Sequence, residues 1–224
     1  MRKERKIDLE LLYKYALKCI FIIETGGGVS TEYLAKAALK NNAKFVSIEK
    51  EKCSHLQGVE HEKGWSITYE DLIKYDHPSF VENITFCKRK YKGSKTKKIK
   101  YTKEDCKRYR KKVSPSFLDG VIAHGCKNVM KGENDLIRKI LKKYNNKKLD
   151  FFFCDTGEYC GLAEWNIVKD EIIEGGYFSC HDIYYPKSIK CFQIAKQISE
   201  SDKWEILEKT KSKQGLLIAR KIKK

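Results

Sequence analysis

Residues 21–50 read FIIETGGGVSTEYLAKAALKNNAKFVSIEK, and this stretch decides the fold. It begins with a short, partly β-branched apolar run at 21–23, which is typical of a buried parallel strand. Three consecutive glycines at 26–28 then indicate a sharp turn. The spacing of apolar residues predicts a helix over about 31–39, and a second apolar run at 45–48 predicts the next strand. The stretch therefore predicts a βαβ unit with a glycine-rich first turn.

The residues around this turn indicate a nucleoside-binding site. Ser30 or Thr31 can serve as the N-cap of the helix. Glu49 closes the second strand about twenty residues after the turn, where a carboxylate can accept two hydrogen bonds from a ribose. A dinucleotide fingerprint would have its third glycine where Thr31 stands, and the phosphate-binding sequence G-K-[ST] is missing from the turn. The pattern therefore disfavours NAD and nucleoside triphosphates as the ligand.

Composition excludes several classes of protein. The chain has 224 residues, 41% of them hydrophobic, which suits a single domain spanning 1–224 with a substantial core. We find no secretory signal peptide and no apolar run near the roughly 18 residues of a membrane span. The nine cysteines are never spaced as C-x-x-C, so reduced thiols are expected instead of a disulfide framework. These features predict a cytoplasmic protein with no membrane partner.

The formal net charge of +17 is concentrated in one segment. Residues 88–112 contain fourteen Lys and Arg against two acidic residues, and so supply +12 of the total. We interpret about 80–116 as a basic insertion between strands. Its lysines, arginines and interleaved tyrosines suit nucleic acid or another polyanion. An anionic small substrate fits the same charge, and so does a solvated loop with no partner.

Three further segments complete the first half of the predicted fold. Apolar residues at helical spacing over 7–20 predict an N-terminal amphipathic helix. The third core strand is expected at 117–125, with 81–87 as the competing assignment. His124 closes the segment 117–125 and Lys88 follows the segment 81–87, so either residue would lie at the edge of the sheet.

The second half of the chain predicts four more strands. Phe151, Phe152 and Phe153 form a central strand buried on both faces, and this strand delivers Asp155 to the carboxyl edge of the sheet. A helix is then expected to end at Gly175 and Gly176, followed by a strand over 177–182. The segments 204–208 and 216–222 read as an antiparallel hairpin. The predicted class is α/β, with a doubly wound, mostly parallel sheet.

The glycine turn resembles motif I of the class I S-adenosylmethionine-dependent methyltransferases. The pattern Glu24-x-Gly26-x-Gly28-x-Ser30-Thr31 is similar to that of the small-molecule O-methyltransferases of the macrocin and catechol types. The second half is similar to the macrocin type in having acids after the fourth strand, a Gly-Gly pair and a His-Asp pair. These positions are Asp155, Glu158, Gly175, Gly176, His181 and Asp182. The similarity covers roughly 20–222 in element order, without 53–116, which matches nothing in the family.

The resemblance implies a Rossmann-like sheet of seven strands with S-adenosylmethionine as cofactor. The implied cofactor-binding residues are Glu24, Gly26, Gly28, Ser30, Glu49 and Asp155. In this family the turn holds the methionine part, and the acid after the second strand binds the ribose. The residue that closes the third strand approaches the adenine, which here is His124 or Lys88 according to the strand assignment.

The resemblance also implies a metal and a general base. Asp155 and Asp182 close neighbouring strands, and their oxygens suit Mg²⁺, which in the family binds and activates hydroxyl groups of the acceptor. His181 or Glu158 is the candidate for the base that takes the proton of the acceptor.

These observations predict methyl transfer from S-adenosylmethionine to an oxygen, or a nitrogen, of a small-molecule acceptor, which the basic segment would suit if the acceptor is anionic. One alternative is an RNA methyltransferase that holds its substrate through 88–112. Another is a nucleoside-binding module without catalytic activity. The sequence does not indicate an oligomeric state.

Overall fold

The computed structural model describes residues 3–49, 56–75, 133–157, 160–184, 191–212 and 215–222. The helices within these ranges are α1 (Lys3–Ala16), α2 (Val29–Lys40), α3 (Tyr69–Tyr75), α4 (Leu136–Lys143), α5 (Gly161–Val168) and α6 (Phe192–Ser199). The strands are β1 (Phe21–Thr25), β2 (Lys44–Glu49), β3 (Val59–Lys63), β4 (Leu149–Cys154), β5 (Ile172–His181), β6 (Trp204–Lys209) and β7 (Leu216–Lys221). In the described part of the chain, no helix has the length and apolar character needed to cross a bilayer.

The seven strands form one sheet in the order β3-β2-β1-β4-β5-β7-β6. The first five strands of this order run parallel, and β7 lies antiparallel to both β5 and β6. The predicted fold class, a doubly wound Rossmann-like sheet with an antiparallel C-terminal hairpin, is confirmed. Because strand order reverses between β1 and β4, a crevice is expected at the carboxyl ends of these two strands.

Alternating side chains of the central strands build a core on each face of the sheet. Phe152 of β4 packs on one face, where its ring stacks on that of Phe178 at 6.0 Å between centroids. Phe151 and Phe153 face the other side, which α1 and α2 cover. Strands buried on both faces are expected to be apolar throughout, as the three phenylalanines are.

The prediction of the third strand was wrong. The strand that pairs with β2 is β3, which has the sequence VEHEK, and not 117–125 or 81–87. A strand this polar gives no hydrophobic signal, and it is possible here because β3 pairs with only one strand of the described sheet. Its Glu60 is balanced by lysines, with Lys143 Nζ 2.8 Å from Glu60 Oε1 and Lys44 also in contact. The segments 81–87 and 117–125, with Lys88 and His124, lie outside the described residues.

The N-terminal helix lies earlier in the chain than the predicted 7–20. It begins at Lys3 and ends at Ala16, so that the last four predicted residues are not helical. The side chain of Asp150 accepts hydrogen bonds from the backbone amides of Ile20 (2.7 Å) and Phe21 (2.9 Å). These amides therefore bond to the start of β4 instead of continuing the helix.

The predicted boundary at Gly175 and Gly176 was also wrong. Helix α5 ends at Val168, and β5 already begins at Ile172 and runs through both glycines. Gly175 has φ +80°, and the pairing of β4 with β5 shifts register between Leu149 and Phe151. The glycines thus mark an irregularity inside the strand, which a sequence pattern cannot distinguish from a turn.

The two ends of the segment 76–132 are held together by contacts of the described chain. Arg138 of α4 donates two hydrogen bonds to Asp71 of α3, at 2.7 and 2.8 Å. The backbone amide of Trp65 donates to the carbonyl of Glu133 at 2.8 Å. The residues just before and just after this segment therefore lie close together on one face of the sheet. The basic insertion about 80–116 lies within this segment and so outside the described residues.

Candidate functional site

The glycine turn after β1 passes directly against the end of β4. Gly26 has φ +83°, and a Cβ added to it would lie 2.1 Å from the carbonyl oxygen of Asp155 and 2.9 Å from the amide nitrogen of Thr156. The Gly26 amide also donates to the carbonyl of Ile48 at 3.0 Å, which ties the turn to β2. Glycine is required at this position by both its backbone angle and its neighbours.

The other end of the turn is open. Gly28 has an extended backbone (φ 179°), and no described atom lies within 4 Å of a Cβ built on it. Its amide donates to Thr31 Oγ1 at 2.8 Å, while the Thr31 amide donates to the Gly28 carbonyl at 3.2 Å. Helix α2 begins at Val29, two residues earlier than predicted, so its N-cap is Gly28 and not Ser30 or Thr31, and Thr31 accepts the hydrogen bond of the cap amide from the first turn. The space beside Gly28 is where a ligand can approach the backbone.

Glu24 lies beneath the turn and has no exposed surface. Its carboxyl group accepts hydrogen bonds from Ser30 Oγ (2.7 Å) and Ser47 Oγ (3.1 Å). Burial, together with the nearby charge of Asp155, raises the pKa of Glu24 to about 8. Glu24 is therefore largely protonated at neutral pH and connects β1 to β2 and to the first turn of α2.

Glu49 and Asp155 lie on either side of the turn. Glu49 is the last residue of β2 and follows Ile48, whose carbonyl binds Gly26. Asp155 follows β4, and its amide donates to the Thr25 carbonyl at 2.9 Å. The structure thus brings together Gly26, Glu49 and Asp155 at the carboxyl edge, as the sequence predicted.

The loop after β3 supplies a residue that the sequence analysis missed. Trp65 is partly exposed, and its backbone is held at both polar groups, by the Glu133 carbonyl and by the Leu136 amide (3.1 Å). The preceding Gly64 has φ +153°. Trp65 follows the end of β3 by two residues, close to the place at the edge that the sequence analysis gave to His124 or Lys88, and part of it packs against the core. Only recognition of the polar strand β3 would have revealed it.

His181 has a buried partner that was also missed. Its Nε2 lies 3.6 Å from Asp8 Oδ2 of α1, and Ser212 Oγ donates to the same oxygen at 2.8 Å. Burial opposes ionisation of Asp8, but the hydrogen bond from Ser212 and the nearby imidazole of His181 outweigh it and lower the pKa of Asp8. One signal was present in the sequence, because Asp8 lies one turn before Leu12 and so falls on the apolar stripe of α1.

The two predicted metal ligands follow neighbouring strands. Asp155 comes directly after β4, and Asp182 directly after β5, with Cys154 paired to Cys180 in the sheet. Asp182 is nearly buried, has φ +64°, and donates its amide to the Gly215 carbonyl at 3.0 Å. Within the ranges that the structure covers, no three or more His, Cys, Asp or Glu side chains are grouped as a metal site would require. The donor chemistry suits Mg²⁺, but this pair alone is short of a full set of protein ligands. Glu158 lies outside the described residues.

Comparison with known proteins identifies the class of fold. No family model matches the chain, and no curated protein matches it by sequence. Its structure is similar to that of a Plasmodium falciparum protein assigned as a ribosomal RNA methyltransferase, with a TM-score of 0.54 and 12% identity over 99% of this chain and 97% of the other. It is also similar to MycE, a methyltransferase of the mycinamycin biosynthetic pathway, with a TM-score of 0.51 and 10% identity over 98% of this chain and 49% of MycE.

The fold is therefore that of the S-adenosylmethionine-dependent methyltransferases. This chain spans about half the length of MycE and nearly all of the Plasmodium falciparum protein. At these levels of identity the likeness defines the fold, and the activity has to be argued from the site.

Proposed function

We propose that the protein is an S-adenosylmethionine-dependent methyltransferase whose cofactor lies across the carboxyl ends of β2, β1 and β4. The observation that carries the proposal is the close approach of Gly26 to Asp155, with Glu49 next to them. The glycine turn, whose backbone is open at Gly28, and the neighbouring carboxylates thus lie near the point between β1 and β4 where strand order reverses. Ligands bind at this point in sheets of this kind. The fold similarity supports the same conclusion.

Each part of the cofactor has a proposed partner on this edge. The backbone of the glycine turn, with Gly28, faces the methionine part, and Glu49 accepts hydrogen bonds from the ribose hydroxyls. Trp65 offers an aromatic surface to the adenine in place of His124 or Lys88. Ser30 and Glu24 support the turn from below, since they bond to each other and Glu24 is buried.

The acceptor is proposed to be a small molecule that presents an oxygen or nitrogen nucleophile beyond the ends of β4 and β5. The new bond joins this nucleophile to the methyl carbon as the bond from that carbon to sulfur breaks, and S-adenosylhomocysteine is the product. Holding donor and acceptor in line supplies much of the rate enhancement. His181, oriented by Asp8, or Glu158 takes the proton of the acceptor.

Asp155 and Asp182 are proposed to hold Mg²⁺, which would lower the pKa of an acceptor hydroxyl when bound. MycE, which has been crystallised with Mg and S-adenosylhomocysteine, offers an analogy for this proposal. We expect Mn²⁺, used as a paramagnetic probe, to bind the wild-type protein and to bind Asp182→Asn about tenfold more weakly, because one charged ligand is lost. Electron paramagnetic resonance titration measures both affinities, and equal affinities would exclude Asp182 as a ligand.

Glu49 provides the test of the cofactor site. We expect Glu49→Ala to weaken S-adenosylhomocysteine binding by about tenfold or more, because hydrogen bonds to a charged group contribute roughly 1.5–3 kcal/mol each. Glu62→Ala is the control, since Glu62 lies on the adjoining strand and is paired with Lys143. Isothermal titration calorimetry of the two variants should separate them. Equal affinities would show that Glu49 does not bind the cofactor.

A second candidate function is methylation of RNA, which the basic segment favours. Residues 88–112 carry the charge expected of a phosphate-binding surface. All seven strands of the described sheet lie outside 76–132, and contacts of Asp71 with Arg138 and of Trp65 with Glu133 join the residues on either side of that segment. Replacing 76–132 by a short Gly/Ser linker is therefore expected to leave S-adenosylhomocysteine binding within about threefold of the wild type.

The same excision distinguishes the two candidates. If the substrate is RNA, the excised protein loses its affinity for RNA, and wild-type binding falls steeply as salt increases. Fluorescence anisotropy with a labelled RNA hairpin measures this. RNA binding that is weak and unchanged by the excision would leave the small-molecule acceptor as the better proposal. A protein that no longer folds after the excision would contradict our inference that the described fold does not depend on 76–132.

We also propose that the protein works in a reducing compartment such as the cytoplasm. In the described part of the chain Cys19, Cys154, Cys160, Cys180 and Cys191 are buried, and the thiols of Cys19 and Cys154 donate hydrogen bonds to the Tyr15 carbonyl and to Glu164. Burial raises the pKa of the Cys19 thiol, which keeps it in the unreactive protonated form.

A further inference from the structure

Glu164 is a buried acid with an unusual set of partners. It lies in the first turn of α5, on the face turned toward the sheet, and has no exposed surface. Thr25 Oγ1 donates to its Oε2 at 2.7 Å, Cys154 Sγ donates to the same oxygen at 3.3 Å, and Ser66 Oγ donates to Oε1. The side chain of Thr156 is close enough to favour the ionised form of Glu164, although burial raises the pKa of Glu164 overall.

These four side chains come from three separate segments at the carboxyl edge. Thr25 is the residue before Gly26 in the glycine turn. Ser66 follows Trp65 in the loop after β3. Cys154 and Thr156 flank Asp155 at the end of β4. Each of these four residues is therefore next in the chain to a residue that forms the proposed cofactor site, and one carboxyl group links all three segments.

A core held together only by apolar packing would not need this arrangement. Burying a carboxyl group among hydroxyl and thiol donors is costly, and here burial raises the pKa of Glu164. The hydrogen bonds recover part of this cost, and replacing buried polar groups by apolar ones of similar shape is often neutral for stability. What an acid provides here is a fixed set of distances between the glycine turn, the Trp65 loop and the end of β4.

We propose that Glu164 is a positioning residue for the cofactor, which sets the spacing between the glycine turn, the Trp65 loop and the end of β4. The inference rests on the proposed function, because it assigns a role at the same site. Glu164 itself does not reach the cofactor. It acts through Thr25, Ser66 and Cys154, and an error of about 1 Å in such a frame is enough to weaken a binding site.

The test compares Glu164 with a second buried acid that also connects β1 to β4. Asp150 binds the amides of Ile20 and Phe21 and so connects β1 to β4 at the amino edge, at the opposite end from the site. Both Glu164→Gln and Asp150→Asn place an amide donor opposite existing donors. Both variants are expected to lose stability to urea, whereas only Glu164→Gln is expected to bind S-adenosylhomocysteine about tenfold more weakly.

Equal affinities in the two variants, or an unchanged affinity in Glu164→Gln, would overturn the inference while leaving the cofactor site intact. Failure of the wild type to bind S-adenosylhomocysteine would instead overturn the proposed function and this inference with it. The two failures are therefore distinguishable in one series of titrations.

A milder pair of variants keeps the test decisive if Glu164→Gln does not fold. Ser66→Ala removes one donor to Glu164. The control Ser179→Ala removes another buried hydroxyl, which donates to the Leu217 carbonyl at 2.9 Å within the sheet. We expect Ser66→Ala to weaken S-adenosylhomocysteine binding by about threefold to tenfold and Ser179→Ala to leave it unchanged. Unchanged affinity in both variants would overturn the inference.

Discussion

Gly26→Ala is expected to destabilise the protein by more than about 3 kcal/mol and to abolish binding of S-adenosylhomocysteine. Two penalties combine at this position. The positive φ of +83° disfavours any residue with a Cβ, and that Cβ would lie 2.1 Å from the backbone carbonyl of Asp155. Because the obstacle is backbone and not a flexible side chain, β1 and β4 must separate where the crevice forms.

Gly175→Ala provides the matched control for this prediction. Gly175 has nearly the same φ of +80°, but no described atom lies within 4 Å of a Cβ built there. It should therefore show the cost of the backbone angle alone, about 1 kcal/mol, with unchanged cofactor affinity. Urea unfolding and calorimetric titration of both variants separate the two penalties. A Gly26→Ala protein as stable as Gly175→Ala would contradict the close contact between the turn and β4.

Glu24→Gln is expected to make the protein more stable in alkaline solution, by a few kcal/mol at pH 9. Burial raises the pKa of Glu24 from an ordinary value of 4.5 to about 8 in the folded chain. Between these two values the folded protein keeps a proton that the unfolded chain has released. The wild type therefore loses stability as pH rises from about 4.5, by up to about 1.4 kcal/mol per unit, until the folded carboxyl group ionises near pH 8.

The glutamine of the Glu24→Gln protein does not ionise, so the free energy of unfolding of this variant lacks the pH-dependent contribution of Glu24. Its amide can occupy the same two contacts, because the hydroxyl groups of Ser30 and Ser47, which both donate to Glu24, can rotate so that one of them accepts from the amide. Urea unfolding at pH 5, 7 and 9 should show the advantage of Glu24→Gln growing with pH. Glu62→Gln, on the partly exposed edge strand, should follow the wild type. An advantage that does not change with pH would mean that Glu24 is ionised in the folded protein.

Local patterns in the sequence were enough to predict most of the sheet. The glycine turn, the apolar runs of β1 and β2 and the three phenylalanines of β4 each carry their own signal, because strands buried on both faces must be apolar. Edge strand β3 could not be found this way. Its sequence VEHEK is stabilised by partners from elsewhere in the chain, among them Lys143 in α4. Such pairing is visible only in three dimensions.

The residues of the candidate site likewise fall into those with a local sequence signal and those without one. Gly26, Gly28, Glu49 and Asp155 follow directly from strand ends and turn chemistry, and the structure places them together. Residues that join the edge from other elements were missed, because their role depends on packing between distant segments. Trp65 depends on the location of β3, Asp8 on the docking of α1 against β5, and Glu164 on the docking of α5 beneath three turns.

The most direct test of the central claim is a calorimetric titration of the wild-type protein with S-adenosylhomocysteine, with and without Mg²⁺. We predict one site per chain with a dissociation constant on the order of micromolar, and no comparable affinity for NAD, since Thr31 replaces the third glycine of a dinucleotide site. Absence of binding under both conditions, or tighter binding of NAD than of S-adenosylhomocysteine, would contradict the assignment of this chain as a methyltransferase.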